Sequence, residues 1–85
     1  MTSQLPPLRF SRHARNRMRL WKIAEADVRM ALEKPEDVTP SYRGRKNAWK
    51  QFGKSWLRVT YAEEAKATVV VTVTPMDRKP GRRGR

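Results

Sequence analysis

The side chains of this sequence that suit acid–base and phosphate chemistry begin with His13 and Arg17. Histidine is the residue type that ordinarily transfers protons near neutral pH, and His13 is the only histidine in the chain. Arg17 follows one helical turn later, from where its guanidinium could hold a phosphate through two parallel hydrogen bonds. Metal-free RNA cleavage needs such groups, because the ribose 2′-oxygen must lose a proton and the phosphorane must have its negative charge neutralised. The alternative is that both side chains are solvated on the first turns of a helix.

A second group of candidate catalytic residues lies where apolar and polar residues alternate. Arg58 stands between Leu57 and Val59, so on a strand its side chain points to the face opposite these two residues. We expect Lys50 on the same open face, where it and Arg58 would form a positive patch for phosphate. Tyr61 has the opposite parity, and it either seals the edge of the core or takes part in the reaction. The alternative for Arg58 and Lys50 is that they are exposed charges that discourage sheet aggregation.

Basic residues close to an aromatic residue predict an RNA-binding segment. Arg43, Arg45 and Lys46 precede Trp49, and this interleaving is typical of single-stranded RNA binding. The alternatives are a solvated run of charges and a tryptophan that belongs to the core. The carboxyl-terminal segment adds basic residues that we expect to attract phosphate: Arg78, Lys79, Arg82 and Arg83.

Composition limits the classes of function. The chain has 85 residues, with 20 Lys and Arg against 8 Asp and Glu, and its formal net charge of +12 favours a polyanionic partner such as RNA or the ribosome. There is no cysteine and only one histidine, so neither a cysteine-ligated zinc nor a multi-histidine centre can form. We therefore expect no metal and no cofactor. No apolar run exceeds three residues, so we expect a cytoplasmic protein without a membrane span.

Two short helices are predicted in the first part of the chain. Ser11 is a good N-cap for a helix over residues 12–22. A second helix is expected over residues 24–34, because acidic residues occupy its first turn and Pro35 follows it. The two would form a helical hairpin. One side of the first helix is apolar and is expected in the core: Ala14, Met18 and Trp21.

The apolar period changes from helical to alternating after Pro35, which predicts strands over residues 47–52, 55–61 and 68–74. Gly53 and Lys54 fit a tight hairpin, so the strands should form an antiparallel meander. Residues 37–42 could add a fourth strand, which Pro40 would confine to the edge. One sheet face is expected to be apolar and covered by the helices: Leu57, Val59, Val69, Val71 and Val73.

These elements predict an α+β domain, a two-helix hairpin followed by a three- to four-stranded antiparallel sheet. We expect a flexible N-terminus over residues 1–8, a single domain over residues 9–77 and a disordered basic tail over residues 78–85. The five basic residues of the tail account for five of the twelve net charges, so +7 remains on residues 1–77. The basic character therefore belongs to the folded domain as well as to the tail.

Four segments carry a resemblance to a known family. They are FSRHA at 10–14 with Arg17 and Met18, residues 23–35, GRKNAW at 44–49, and WLRVTY at 56–61 followed by VVTV at 70–73. In order and spacing they resemble the small bacterial domain-of-unknown-function 4258 family of the RelE/BrnT-like toxin superfamily over roughly residues 9–78. Members often carry a tyrosine where this chain has Thr74, which leaves a role for a tyrosine at that point of the sheet in doubt.

The resemblance implies an RelE-like fold and a toxin that cuts RNA, often on the ribosome, unless an antitoxin covers it. On this basis we expect a toxin of a toxin–antitoxin pair, with RNA or the ribosome as its partner and an acidic or DNA-binding antitoxin. A shared fold does not settle function, so a noncatalytic RNA- or ribosome-binding module is the alternative. A third hypothesis is a protein-interaction domain for an acidic partner.

Overall fold

The computed structural model describes residues 7–77 of the chain. The predicted basic tail and most of the predicted flexible N-terminus lie outside these residues. The described elements, in chain order, are β1 (Leu8–Phe10), α1 (Arg12–Trp21), α2 (Glu25–Glu33), β2 (Asp37–Pro40), a 3-10 turn (Tyr42–Gly44), β3 (Lys46–Phe52), β4 (Ser55–Glu63) and β5 (Thr68–Met76).

The five strands form one mixed sheet in the order β1-β5-β4-β3-β2. β2 to β5 pair antiparallel with their neighbours in sequence, whereas β1 pairs parallel with β5. The α+β class is confirmed, but the predicted count of three or four strands is wrong. The sequence pattern missed β1 because three residues are too few to show a period of two. The first element of the described residues is therefore a strand that begins at Leu8, before the first helix.

Each helix ends where its local sequence predicts. The Ser11 hydroxyl caps α1 by accepting a hydrogen bond from the Ala14 backbone N–H at 2.9 Å. α1 ends at Trp21, and the left-handed backbone of the next residue, Lys22 (φ 58°), closes the last turn. α1 packs on β5 and β1, and α2 packs on β3 and β4. The sheet is therefore the main contact of each helix, and a closely packed helical hairpin is not the unit of this fold.

The core lies between the helices and one face of the sheet. Its buried members are Ala14, Met18, Val28, Ala31, Leu32, Ala48, Leu57, Val59, Val70 and Val73. Trp21 was expected among them, but it is 48% exposed, so that prediction is wrong. Trp21 is the last residue of α1, where the helix ends and its apolar side no longer faces the sheet.

A β-bulge in β5 changes which valines enter the core. Thr60 pairs with Thr72 and Tyr61 pairs with Val70, so Val71 is an extra residue opposite β4. Val70 is fully buried, whereas Val69 and Val71 are half-buried. The expectation that Val69 shares a face with Val73 is therefore wrong, because Val69 pairs with Ala62, and Val71 is the unpaired residue of the bulge. Strict alternation cannot reveal a bulge, because the bulge shifts parity by one residue.

The hairpin turn and the edge strand form where the sequence predicts them. Phe52 pairs with Ser55 across the two-residue turn that begins at Gly53, whose φ is +62°. Glycine at this first turn position supplies the positive φ that such hairpins require. β2 forms the predicted edge strand and ends at Pro40. None of the helices among residues 7–77 is long and apolar enough to cross a membrane.

Candidate nucleic-acid interface

The sheet face opposite the helices carries a continuous set of polar and aromatic side chains, which we call the helix-free face. The strand register lines up Asp37, Trp49, Arg58 and Thr74 in one row across four strands. The neighbouring rows on this face contain Thr39, Asn47, Thr60 and Thr72 on one side and Gln51, Trp56 and Met76 on the other. This composition differs from the aliphatic core on the helix side.

Arg58 lies in the middle of the helix-free face with unused hydrogen-bonding capacity. Its Nη2 donates a long hydrogen bond to Thr74 Oγ1 at 3.4 Å. Its Nε is buried and has no hydrogen-bond partner, and it forms no ion pair with a carboxylate of the described residues. A buried donor without a partner costs free energy, so the fold holds Arg58 with a hydrogen-bonding group that the described residues do not use. This agrees with the predicted orientation of Arg58 away from Leu57 and Val59.

Trp49 supports Arg58 from within the sheet. The Arg58 guanidinium carbon lies 5.8 Å from the centroid of the Trp49 ring, within range for a cation–π contact. The indole Nε1 of Trp49 donates a hydrogen bond to Thr39 Oγ1 at 3.0 Å. Trp49 is only 5% exposed, so its ring positions Arg58 and offers little surface for stacking on a base.

Lys50 does not lie beside Arg58. The antiparallel register pairs Lys50 with Leu57 and pairs Trp49 with Arg58. Lys50 therefore lies on the helix side, where its Nζ is 3.5 Å from Glu36 Oε2. The predicted positive patch of Lys50 and Arg58 is wrong, because the two-residue turn at Gly53 pairs Phe52 with Ser55, and in this register Lys50 and Arg58 point to opposite faces of the sheet.

His13 and Arg17 are separated from Arg58 by the sheet. Both belong to α1, which packs on the face opposite Arg58. His13 is exposed, and Arg17 is half-buried with its Nε lacking a hydrogen-bond partner. The two residues share one helix as predicted, but the fold does not bring them together with Arg58 around one phosphate.

Tyr61 and Lys46 form a separate cluster at the helix side of the sheet. Tyr61 pairs with Lys46 in register and packs against the core. Burial, and then the charge of Glu63, raise the pKa of Tyr61 above its ordinary value. Lys46 Nζ donates a hydrogen bond to Glu63 Oε1 at 3.0 Å, which raises the pKa of Lys46. Tyr61 thus seals one end of the core and does not reach Arg58.

The predicted basic loop lies in the turn between β2 and β3. Arg43 is exposed and Arg45 is half-buried, next to Tyr42, which is 84% exposed. Tyr42 was not among the predicted binding residues, although its position between two strands and beside arginines was a usable signal. The other predicted RNA-binding residues lie outside the described part of the chain: Arg78, Lys79, Arg82 and Arg83.

The charged residues around the helix-free face and this loop are mostly basic, although Asp37 lies on that face. Residues 38–62 contain six Lys and Arg and no Asp or Glu. Among residues 7–77, no group of three or more His, Cys, Asp or Glu side chains is placed to hold a metal ion. The helix-free face combines one arginine with aromatic, hydroxyl and amide side chains and one aspartate.

The fold and the site define a small basic α+β domain with an arginine-centred sheet face. Comparison with protein families places residues 10–75 in the family described as domain of unknown function DUF4258, so the chain belongs to that family. No curated protein and no solved structure gives a significant match to this chain.

Proposed function

We propose that this protein is an RNA-binding domain that holds an RNA phosphate at Arg58 on the helix-free face. The observation that carries the proposal is the position of Arg58, which is partly buried, without an acidic partner among the described residues, and with an unsatisfied Nε. A guanidinium offers several donors in a planar fork that matches phosphate oxygens. Thr74 beside it adds a hydroxyl, which is a common phosphate ligand.

The charge distribution supports a polyanionic ligand. Residues 7–77 carry 15 Lys and Arg against 8 Asp and Glu. The ion pairs among these residues engage only Arg15, Lys46 and Lys50. Uncompensated positive charge attracts nucleic acid over a range of about 10 Å at ordinary salt. The cytoplasm, where RNA and ribosomes are abundant, is the compartment that fits this proposal.

RNA cleavage in the manner of an RelE/BrnT-like toxin is the second candidate function. It is favoured by the Arg58 guanidinium, which could stabilise the negative charge of a phosphorane. The helix-free face as described contains no histidine, lysine or tyrosine, so none of these residue types lies beside Arg58 to transfer a proton. Binding is therefore the leading proposal, and an acidic antitoxin covering the same basic face belongs to the toxin hypothesis.

The test is binding of a short single-stranded oligoribonucleotide, measured by fluorescence anisotropy at low salt. Arg58→Ala should weaken binding roughly 10- to 150-fold, the value of a hydrogen bond to a charged group. Arg58→Lys should recover only part of the affinity, because an ammonium cannot form the planar fork. Arg29→Ala, which removes one exposed arginine from α2 on the other side of the sheet, is the matched control.

Three kinds of result would decide between the hypotheses. If folded wild type does not bind RNA at low salt, or if Arg58→Ala and Arg29→Ala lose the same small amount, Arg58 is not the RNA site. Binding of an acidic peptide instead of RNA would favour the protein-interaction hypothesis. Cleavage in the presence of chelator that leaves a 2′,3′-cyclic phosphate, together with growth arrest on induced expression, would establish the toxin.

A further inference from the structure

We propose that the turn between β2 and β3 is a binding site for an unpaired nucleotide, with the Tyr42 ring stacking on the base. Arg43 and Arg45 on either side of Gly44 would contact the adjoining phosphates. This inference rests on the proposed RNA binding and adds a second contact to it. The ligand class is single-stranded RNA, because bases in a duplex are already stacked on their neighbours.

Tyr42 is held outward by a turn of defined conformation. The Ser41 N–H donates to the Arg45 carbonyl at 2.9 Å, and the Arg45 N–H donates to the Tyr42 carbonyl at 3.0 Å. Arg43 and Gly44 both have left-handed backbone, with φ of 59° and 76°. A non-glycine residue adopts this conformation at a cost, so the surrounding bonds fix the turn. A turn that is already ordered loses less entropy when a ligand binds.

The Tyr42 side chain is exposed, unlike the aromatic side chains that pack within the domain. Tyr42 is 84% exposed, whereas Trp49 is 5% exposed and Tyr61 packs on the core. The Tyr42 side chain forms no hydrogen bond with another described residue. Its ring therefore contributes little to the stability of the domain and is free to stack.

A groove lies next to the turn, at the β2 edge of the sheet. The groove has a volume of about 330 Å³ and is lined by Thr39, Pro40, Ser41, Gly44, Arg45 and Lys46, among others. Thr39 also accepts the hydrogen bond from Trp49, which lies under Arg58. Adjacent strands are about 4.8 Å apart, so β2 and β4 are separated by roughly 10 Å. One RNA strand could therefore contact Arg58 and the Tyr42 turn together.

The experiment compares two ligands of similar charge, a single-stranded oligouridylate and inorganic polyphosphate, which has no bases. Tyr42→Ala should weaken binding of the oligouridylate roughly 5- to 150-fold, the range for loss of one base–aromatic stack. It should leave polyphosphate binding unchanged, because the substitution does not alter charge. Tyr42→Phe keeps the ring and should bind both ligands like wild type. Trp21→Ala, an exposed aromatic residue on α1, is the control for nonspecific loss of aromatic surface.

The outcomes separate this inference from the proposed function. If Tyr42→Ala binds oligouridylate like wild type while Arg58→Ala binds it weakly, the stacking inference is overturned and the Arg58 site stands. An equal loss for both ligands, or an equal loss in Tyr42→Phe, would also overturn stacking. If wild type binds polyphosphate but not RNA, both proposals fail. Because Tyr42 is exposed, the thermal unfolding of each variant should match wild type.

Discussion

Trp21 and Trp49 have opposite structural roles, although the sequence does not distinguish them. Trp49 is 5% exposed and donates its indole N–H to Thr39, whereas Trp21 is 48% exposed at the end of α1. We expect Trp49→Ala to lower the free energy of unfolding by about 3 to 5 kcal/mol, the cost of deleting a buried aromatic side chain. Trp21→Ala should cost no more than about 1 kcal/mol. Urea unfolding followed by circular dichroism gives both values.

Trp49→Phe is the variant to use if Trp49→Ala does not fold. It keeps most of the ring and removes the indole N–H, so we expect a loss of about 1 to 3 kcal/mol, because Thr39 loses its donor. Equal destabilisation by Trp21→Ala and Trp49→Ala would contradict the assignment of the two rings.

Tyr61 should make the stability of the domain fall at alkaline pH. Burial raises the pKa of Tyr61 above its ordinary value of 10.0, so the folded state holds the phenol proton more tightly than the unfolded state. The stabilisation is present below about pH 10 and is lost as pH rises toward the folded-state pKa. Tyr61→Phe should flatten the decline in unfolding free energy above about pH 10.

The measurement for Tyr61 is urea unfolding at a series of alkaline pH values. Tyr42→Phe removes the same hydroxyl group from an exposed turn and should leave the decline as in wild type. If Tyr61→Phe declines as steeply as wild type, the phenol is not the titrating group.

At the scale of elements, Ser11 joins α1 to the bulge in β5. Its hydroxyl accepts from the Ala14 N–H at 2.9 Å and donates to the Val71 carbonyl at 2.8 Å, while its N–H donates to the Val70 carbonyl at 3.0 Å. The extra residue of a bulge leaves a backbone group outside the strand ladder, and Ser11 satisfies it. The junction therefore fixes where α1 begins relative to the sheet.

Ser11→Ala should lower the free energy of unfolding by about 1 to 3 kcal/mol, because it removes a helix cap and leaves a bulge carbonyl without its donor. The change in thermal or urea unfolding measures it. Ser41→Ala is the matched control, since Ser41 precedes the 3-10 turn and makes no side-chain capping bond. A loss equal to that of Ser41→Ala would mean that the Ser11 bonds contribute nothing to stability.

At the scale of the whole molecule, positive charge lies on both sides of the sheet. α1 has four arginines and no acidic residue, and the helix-free face opposite it is centred on Arg58. His13 and Arg17 cannot act with Arg58 on one phosphate, because the sheet lies between them. Any contribution of α1 to RNA binding must involve a different part of the RNA.

The net charge of the chain should make RNA affinity fall steeply with salt. Five of the twelve net positive charges lie in residues 78–85. If about three of them contact single-stranded RNA, truncation after Asp77 should reduce the slope of log affinity against log salt by roughly 2. A salt titration of full-length and truncated protein measures this change. An unchanged slope would show that the tail charges make no phosphate contacts.

The sequence by itself determined the two helices, the strands β2 to β5 and the charge of this protein. The helix bounds followed from Ser11 and Pro35, the β3–β4 hairpin from Gly53, and the edge position of β2 from Pro40. These features depend on residues close together in the chain, whose spacing and turn chemistry act locally. The orientation of Arg58 followed in the same way from its neighbours Leu57 and Val59.

Only the tertiary structure decided which of the chemically suitable residues share a surface. The parallel pairing of β1 with β5 and the bulge at Val71, which Ser11 contacts, join residues distant in sequence. A shift of one residue in such a pairing moves a side chain to the other face of the sheet, and the alternating pattern of a single strand does not define the pairing. For this reason the sequence could identify His13, Lys50 and Arg58 as candidates, whereas the packed sheet separates them.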